Sequence, residues 1–203
     1  MNTLVSLSNR LLNLRDKAKQ INFLGPLALR IYRAPIFILA GWGKLESLDS
    51  TAYYFGDILG LPAPMLMAIL AGLTEFVGGI GLLLGFALRL LAIPMMITMV
   101  VAAATAHWDN GWHALPETQL TVPWEWRTDL IHEAQSRKDA AKSLLKTHGN
   151  YSWLTETGSI TILKNGIEFA ATYFIMLLVL FFIGAGKYLS LDYWFAKRFR
   201  HNN

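Results

Sequence analysis

The sequence predicts an all-α polytopic membrane protein. Its expected architecture is a four-transmembrane-helix bundle, with an N-terminal amphipathic interfacial helix and a long outer loop that contains a helix of its own. Composition is the first indication: 54% of the 203 residues are apolar and 16% charged, against about 25% charged in an average globular domain. The second is distribution. Pro64–Leu88 is twenty-five residues with one charge, Glu75, while Leu90–Ala106 and Phe169–Gly186 have none. Each run approaches the roughly 20 apolar residues that a helix needs to cross about 30 Å of hydrocarbon.

What the composition excludes is equally useful. Without cysteine there are no disulfides, thiolate redox centres, iron–sulfur clusters or thiolate zinc sites. A net charge of +4 and a pI of 9.4 would suggest nucleic acid in a soluble chain. Here the basic residues cluster beside apolar runs, as in proteins oriented by cytoplasmic positive charge. The expected partner is therefore the lipid bilayer, and nucleic acid is not a partner.

Taken in order, residues 1–22 carry Leu4, Leu7, Leu11, Leu14, Ala18 and Ile21 at helical spacing, with Arg10, Arg15, Lys17 and Lys19 between them. An apolar stripe opposed by basic residues describes a helix lying in the headgroup layer. A signal peptide is not expected, since no long uncharged core precedes a small-residue cleavage site. The first span covers 23–44, interrupted by Arg30 and Arg33. Gly60-Leu61-Pro62-Ala63-Pro64 is a turn-rich entry to the second span, 64–88, with proline suited to its first turn. The short connection before Arg89 makes the third span, 89–108, an antiparallel neighbour of the second. Pro35 and Pro94 should kink the spans that hold them.

Residues 109–164 form the polar insertion. Its middle, about 126–147, reads as a charged amphipathic helix with stop signals at Lys142, Lys146 and Gly149. Ser159–Leu163 reads as a short strand or an extended lead-in to the fourth span, 165–186. Beyond it lies a tail ending Lys197, Arg198, Phe199, Arg200. The segment through Arg33 holds six basic residues and the tail from Lys187 four, whereas seven carboxylates outnumber six basic residues in the long loop. Both termini are thus expected in the cytoplasm, with 45–63 and 109–164 outside, which in a bacterium is the periplasm.

Several residues are candidates for chemistry. If Lys44 and Pro64 both mark the outer surface, Arg33 and Glu75 each lie eleven residues further in, about 16 Å deep. Opposite charges at equal depth should pair, because each alone costs about 2.5–3.5 kcal/mol at mid-membrane. Such a pair serves either as a proton, quinone-headgroup or substrate site, or simply as a lock on helix register. Lys44, His107 and Glu168 form a second, outer layer that either converges on a pocket or merely marks the water boundary. Met95, Met96 and Met99, with His107 above them, invite a copper reading, although methionine in an apolar span is usually filler. Gly78, Gly79, Gly81 and Gly85 make a helix-packing side. No P-loop, nucleophile triad or zinc-protease motif is present.

Arg33, then Ala40-Gly41-Trp42-Gly43-Lys44, Leu61-Pro62-Ala63-Pro64, Glu75-Phe76-Val77-Gly78-Gly79, Leu84-Gly85 and Arg89 resemble the DoxX family of four-helix bacterial inner-membrane proteins. The resemblance covers about residues 29–108, and on it the chain, 1–203, is expected to be a single DoxX-like membrane domain. The tracts His107–Trp112, Asn165–Tyr173 and Ser190–Trp194 are similar to a narrower subgroup, found beside maturation enzymes of copper-binding peptides. The resemblance implies an accessory protein of a redox or copper-handling pathway, working with a partner protein; it leaves the cofactor open, with quinone and copper as the candidates. It marks Arg33, Lys44, Glu75, Arg89 and His107 as functional candidates. The long insertion departs from the commonest family form. Alternatives are a quinone-coupled membrane oxidoreductase subunit and a small membrane transporter.

Overall fold

The computed structural model describes residues 19–200 together with residues 10, 12 and 16. Among the described residues there are helices and loops but no strand, so Ser159–Leu163 does not form one. Most of the expected 1–22 interfacial helix lies outside the described residues.

Among the described residues, three helices are long and apolar enough to cross a membrane. These are α1 (Leu24–Glu46), the helix from Pro64, and the helix from Leu88, which continues to Asn110. Between the first two lie α2 (Leu48–Tyr53) and a π-helical turn, Tyr54–Ile58. α3 (Pro64–Leu84) starts with proline at its first turn and ends at Gly85, whose φ of 63° is the left-handed cap that glycine adopts without strain. α4 (Leu88–Ala102) runs into a π-helical turn, Ala103–His107, and a 3₁₀ turn, Trp108–Asn110. α5 (Thr128–His148) is the expected loop helix, stopped at Gly149. A single turn, α6 (Tyr151–Leu154), is capped by the Asn150 side chain. α7 (Glu168–Ile183) is apolar but only 16 residues long, and α8 (Leu191–Arg200) follows. The protein is a membrane protein.

The described chain forms two compact units. One runs through residue 98 and resumes at residue 175; the other is Met99–Phe174. In the first, α1 packs on α3 through glycines. A Cβ on Gly41 would meet the backbone of Phe76 and the Gly72 carbonyl, and one on Gly79 would meet Ile38 at 2.8 Å. Small residues let helix backbones approach this closely.

The same unit has a polar knot at one end. Arg30, 1% exposed, donates to the carbonyls of Leu82 (2.7 Å), Leu83 (2.9 Å), Ala185 (2.7 Å) and Leu189 (2.9 Å). Two of these belong to the end of α3, where carbonyls lack helical partners and the helix dipole favours a cation. Asp192 does the converse. Its carboxylate accepts from the backbone N–H of Ala87 (2.7 Å) and Leu88 (3.1 Å), at the start of α4.

In the second unit the first residues of the 109–164 loop pair with the chain that follows it. Ile167 and Glu168 donate to the carbonyls of Gly111 and Trp112, and Gly166 donates to that of His113. Buried Ile131 and Ala134 supply the apolar side of α5.

The glycine contact is directly testable. Gly41→Ala should destabilise the protein by about 1–3 kcal/mol through overpacking against backbone that cannot yield. Gly43→Ala, two residues on with nothing within 4 Å, should be neutral or mildly stabilising, since alanine is the better helix former. Thermal unfolding of the two variants in detergent measures the contrast.

Candidate functional site

The buried ionic group of the first unit is Lys44–Glu75. Lys44 Nζ donates to Glu75 Oε2 at 2.6 Å, and the Glu75 residue is 6% exposed. This corrects the partner expected from depth alone, which was Arg33. Gly41 faces residues 72–76, and Gly79 faces residues 34–38, so facing residue numbers add to about 115. On that register Glu75 is level with Ala40 and Arg33 is level with Leu82, seven residues apart or about 11 Å along the helix. Lys44 and Pro64 are not level. α2 packs beside the first turns of α3, so α3 begins about two turns beyond Lys44. The Lys44 stem, four carbons long, then reaches back along the helix to the carboxylate.

Arg33 is fully buried, its guanidinium carbon 5.0 Å from the centre of the Phe37 ring and 6.0 Å from that of Tyr32, within cation–π range. Arg89 is exposed and donates to the Phe182 carbonyl at 3.3 Å. Met95 is fully buried, and its thioether lies where a side chain on Gly78 would stand. It acts there as filler for a glycine gap.

His107 and Glu168 belong to the second unit, where each has its own backbone partner. His107 Nδ1 lies 2.8 Å from the Asn165 carbonyl, so that nitrogen carries the proton in this contact. Asn165 itself adopts a positive φ of 61°. Glu168 Oε2 accepts from the Ala114 N–H at 2.9 Å. Met99, also assigned to this unit, is buried. Among the described residues no group of three or more His, Asp or Glu side chains gathers as a metal ion would need.

Sequence reasoning missed the polar centre of this unit, Glu125. Its side chain has no solvent exposure and accepts from Lys164 Nζ (2.7 Å) and from the backbone N–H of Arg127 (2.9 Å), Trp112 (3.1 Å) and His113 (3.4 Å). His113 Nε2 stands 4.0 Å away. Burial pushes the carboxyl upward, but Lys164 and the three N–H groups outweigh it and hold Glu125 at about 2. Gly111, at φ 77°, leaves the room that Glu125 occupies. Trp108 stacks on Trp126 at 4.7 Å, and Trp112 meets Trp124 edge-on at 5.6 Å. The Trp124-Glu125-Trp126 tripeptide was the available signal: a carboxylate between two large aromatics and just before a helix start.

Residues 25–108 match the DoxX family. The chain is 37% identical over 75 residues to inner membrane protein YqjF of Escherichia coli, covering 37% of this chain and 55% of that protein. It is 38% identical over 85 residues to inner membrane protein YphA of Escherichia coli, covering 41% and 60%. Over 82 residues it is 33% identical to a protein named putative oxidoreductase CatD of Bacillus subtilis, covering 40% and 59%. The chain thus spans somewhat over half the length of these relatives. No solved structure matches it.

Glu125 makes the second unit acid-sensitive. Its carboxyl is held at about 2 against an ordinary 4.5, so its stabilising contribution is complete above about pH 4.5 and disappears as pH falls towards 2. Tryptophan fluorescence during thermal unfolding should show a steep loss of stability across that window. Glu125→Gln, which strands Lys164, should cost about 3–5 kcal/mol at pH 7 and flatten the acid dependence. An unchanged acid profile in the variant would mean that another carboxyl carries the transition.

Proposed function

We propose that this protein is an accessory inner-membrane component of a redox pathway, working beside a partner protein, with Lys44 and Glu75 as its functional pair. The observation that carries this reading is a close ion pair formed by a buried carboxylate and a lysine that keeps 28% of its side chain exposed. A pair needed only for register has no use for a half-open lysine. The same arrangement suits a small polar headgroup entering from the exposed side. The Lys44 ammonium is a donor for a quinone-type carbonyl, and Glu75 is a carboxylate placed to hold the proton that accompanies electron transfer. The name putative oxidoreductase, carried by one relative over the matching segment, supports the redox class.

In this reading α7 is the fourth span of a bundle, both termini are cytoplasmic and residues 109–164 are periplasmic. The loop's excess of carboxylates and the basic residues at the other span ends support that orientation. Copper handling is the narrower form of the proposal. Its support is the resemblance of the His107–Trp112 and Asn165–Tyr173 tracts to the copper-peptide subgroup.

Titration of the purified full chain with a short-chain quinone, followed by tryptophan quenching, tests the pair. Binding should weaken by about tenfold or more in Lys44→Met and in Glu75→Gln, the worth of one charge-assisted hydrogen bond, and should be unchanged in Gly43→Ala. Equal binding by all four proteins would end the proposal.

A further inference from the structure

The last helix of the chain has no role in the pair at Glu75, yet its side chains are arranged for a specific surroundings. Leu191, Trp194, Phe195 and Phe199 recur at helical spacing along α8 and form one stripe. They are 40%, 52%, 49% and 66% exposed. Lys197 and Arg198, both exposed, flank Trp194 around the helix, and Lys197 Nζ lies 5.3 Å from the centre of the Trp194 ring.

The position of α8 says what covers this stripe. Its first turn is tied by Asp192 to the N–H groups of Ala87 and Leu88, and the Asp192 N–H donates to the Gly85 carbonyl at 3.0 Å. Those residues form the turn between α3 and α4, the point where two of the membrane-spanning candidates end. Phe195 continues the apolar surface of that turn, its ring centre 6.1 Å from that of half-exposed Phe86. Tyr188, Tyr193 and Trp194 stand in edge-on and tilted contact beside it, and the Trp194 indole N–H is satisfied by the Tyr188 carbonyl at 2.7 Å. Tyrosine and tryptophan gathered where a span ends belong to the membrane–water interface. Arg89 and Lys187, exposed in the same unit next to the ends of α4 and α7, add two further cations.

We propose that α8 is an interfacial helix that binds anionic phospholipid headgroups. Its aromatic stripe enters the headgroup–acyl boundary, and Lys197 and Arg198 meet the phosphates. An apolar stripe alone would suit any bilayer; the basic residues beside Trp194 select anionic lipid, because each cation near an anionic surface is worth roughly fivefold in binding. The proposal stands apart from the quinone reading, since it involves neither Lys44 nor Glu75.

The chain has no cysteine, so Phe199→Cys gives a single attachment point for an environment-sensitive fluorophore on the full-length protein in neutral detergent micelles. Short-chain phosphatidylglycerol should move the label into an apolar environment at a concentration roughly twenty-fivefold below that needed with phosphatidylcholine, the product of two such contributions. Lys197→Gln with Arg198→Gln should shrink that difference to a few-fold. Native mass spectrometry of unlabelled protein, counting each lipid retained, gives the same comparison without the label. Equal half-saturation for the two lipids, or a label that neither lipid moves, overturns the proposal.

Discussion

The close approach of α1 and α3 is the constraint on which the first unit depends. Gly41 lies directly against the backbone of residues 72–76, while Gly72 and Gly79 leave the room that Leu45 and Ile38 of the facing helix occupy. Inside a bilayer, helices gain little from burying apolar surface against one another, so packing contact and polar pairing must hold them. The glycines supply the contact, and by excluding alternative registers they decide which charges meet. Because the facing residue numbers add to about 115, the carboxylate of Glu75 comes within reach of Lys44 and about two helical turns away from Arg33. A change of one turn in this register would separate Lys44 from Glu75 and leave a buried charge without compensation, which is why glycine packing and the ion pair are one device.

The end of the unit that carries α8 relies on a different principle. Helix ends leave carbonyls or N–H groups without partners, and here two charged side chains serve them from a distance in sequence. Arg30 reaches the final carbonyls of α3 and the carbonyls just beyond α7. Asp192 reaches the first N–H groups of α4. A planar guanidinium with donors in a fixed fork suits four carbonyls as lysine would not. The knot links residues more than a hundred apart in the chain and gives α8 a fixed starting point next to the α3–α4 turn.

Much of this was legible in the sequence, and the failures have a common cause. Apolar runs with their proline and glycine punctuation marked where α1, α3, α4 and α7 lie, and the charged amphipathic pattern at 126–147 marked α5. Gly78 and Gly79 were rightly read as packing positions rather than a nucleotide loop. The partner of Glu75 was misread because equal distance from Lys44 and from Pro64 was taken as equal depth. Within the 45–63 connection only the turn-rich entry at 60–64 was read from the sequence, yet α2 and the π-helical turn before it run beside α3 and shift the level at which that helix begins. Arg30 read as an interruption of an apolar run because its four carbonyl partners are distant in sequence. Glu125 was invisible for the same reason: three of its donors are backbone N–H groups, which every sequence has and no motif marks.

The most direct test of the account is a double-mutant cycle on Lys44 and Glu75, with Arg33 and Glu75 as the comparison. Unfolding free energies in one detergent would be measured for Lys44→Met, Glu75→Gln, Arg33→Met and the two pairs. The geometry requires a strong interaction for the first pair: losing either partner alone should cost about 3–5 kcal/mol, and losing both distinctly less than the sum. For Arg33 with Glu75, about 11 Å apart along the helices, the two costs should add to within about half a kcal/mol. Additivity at 44 and 75 together with strong coupling at 33 and 75 would contradict the register, and with it the site built on it.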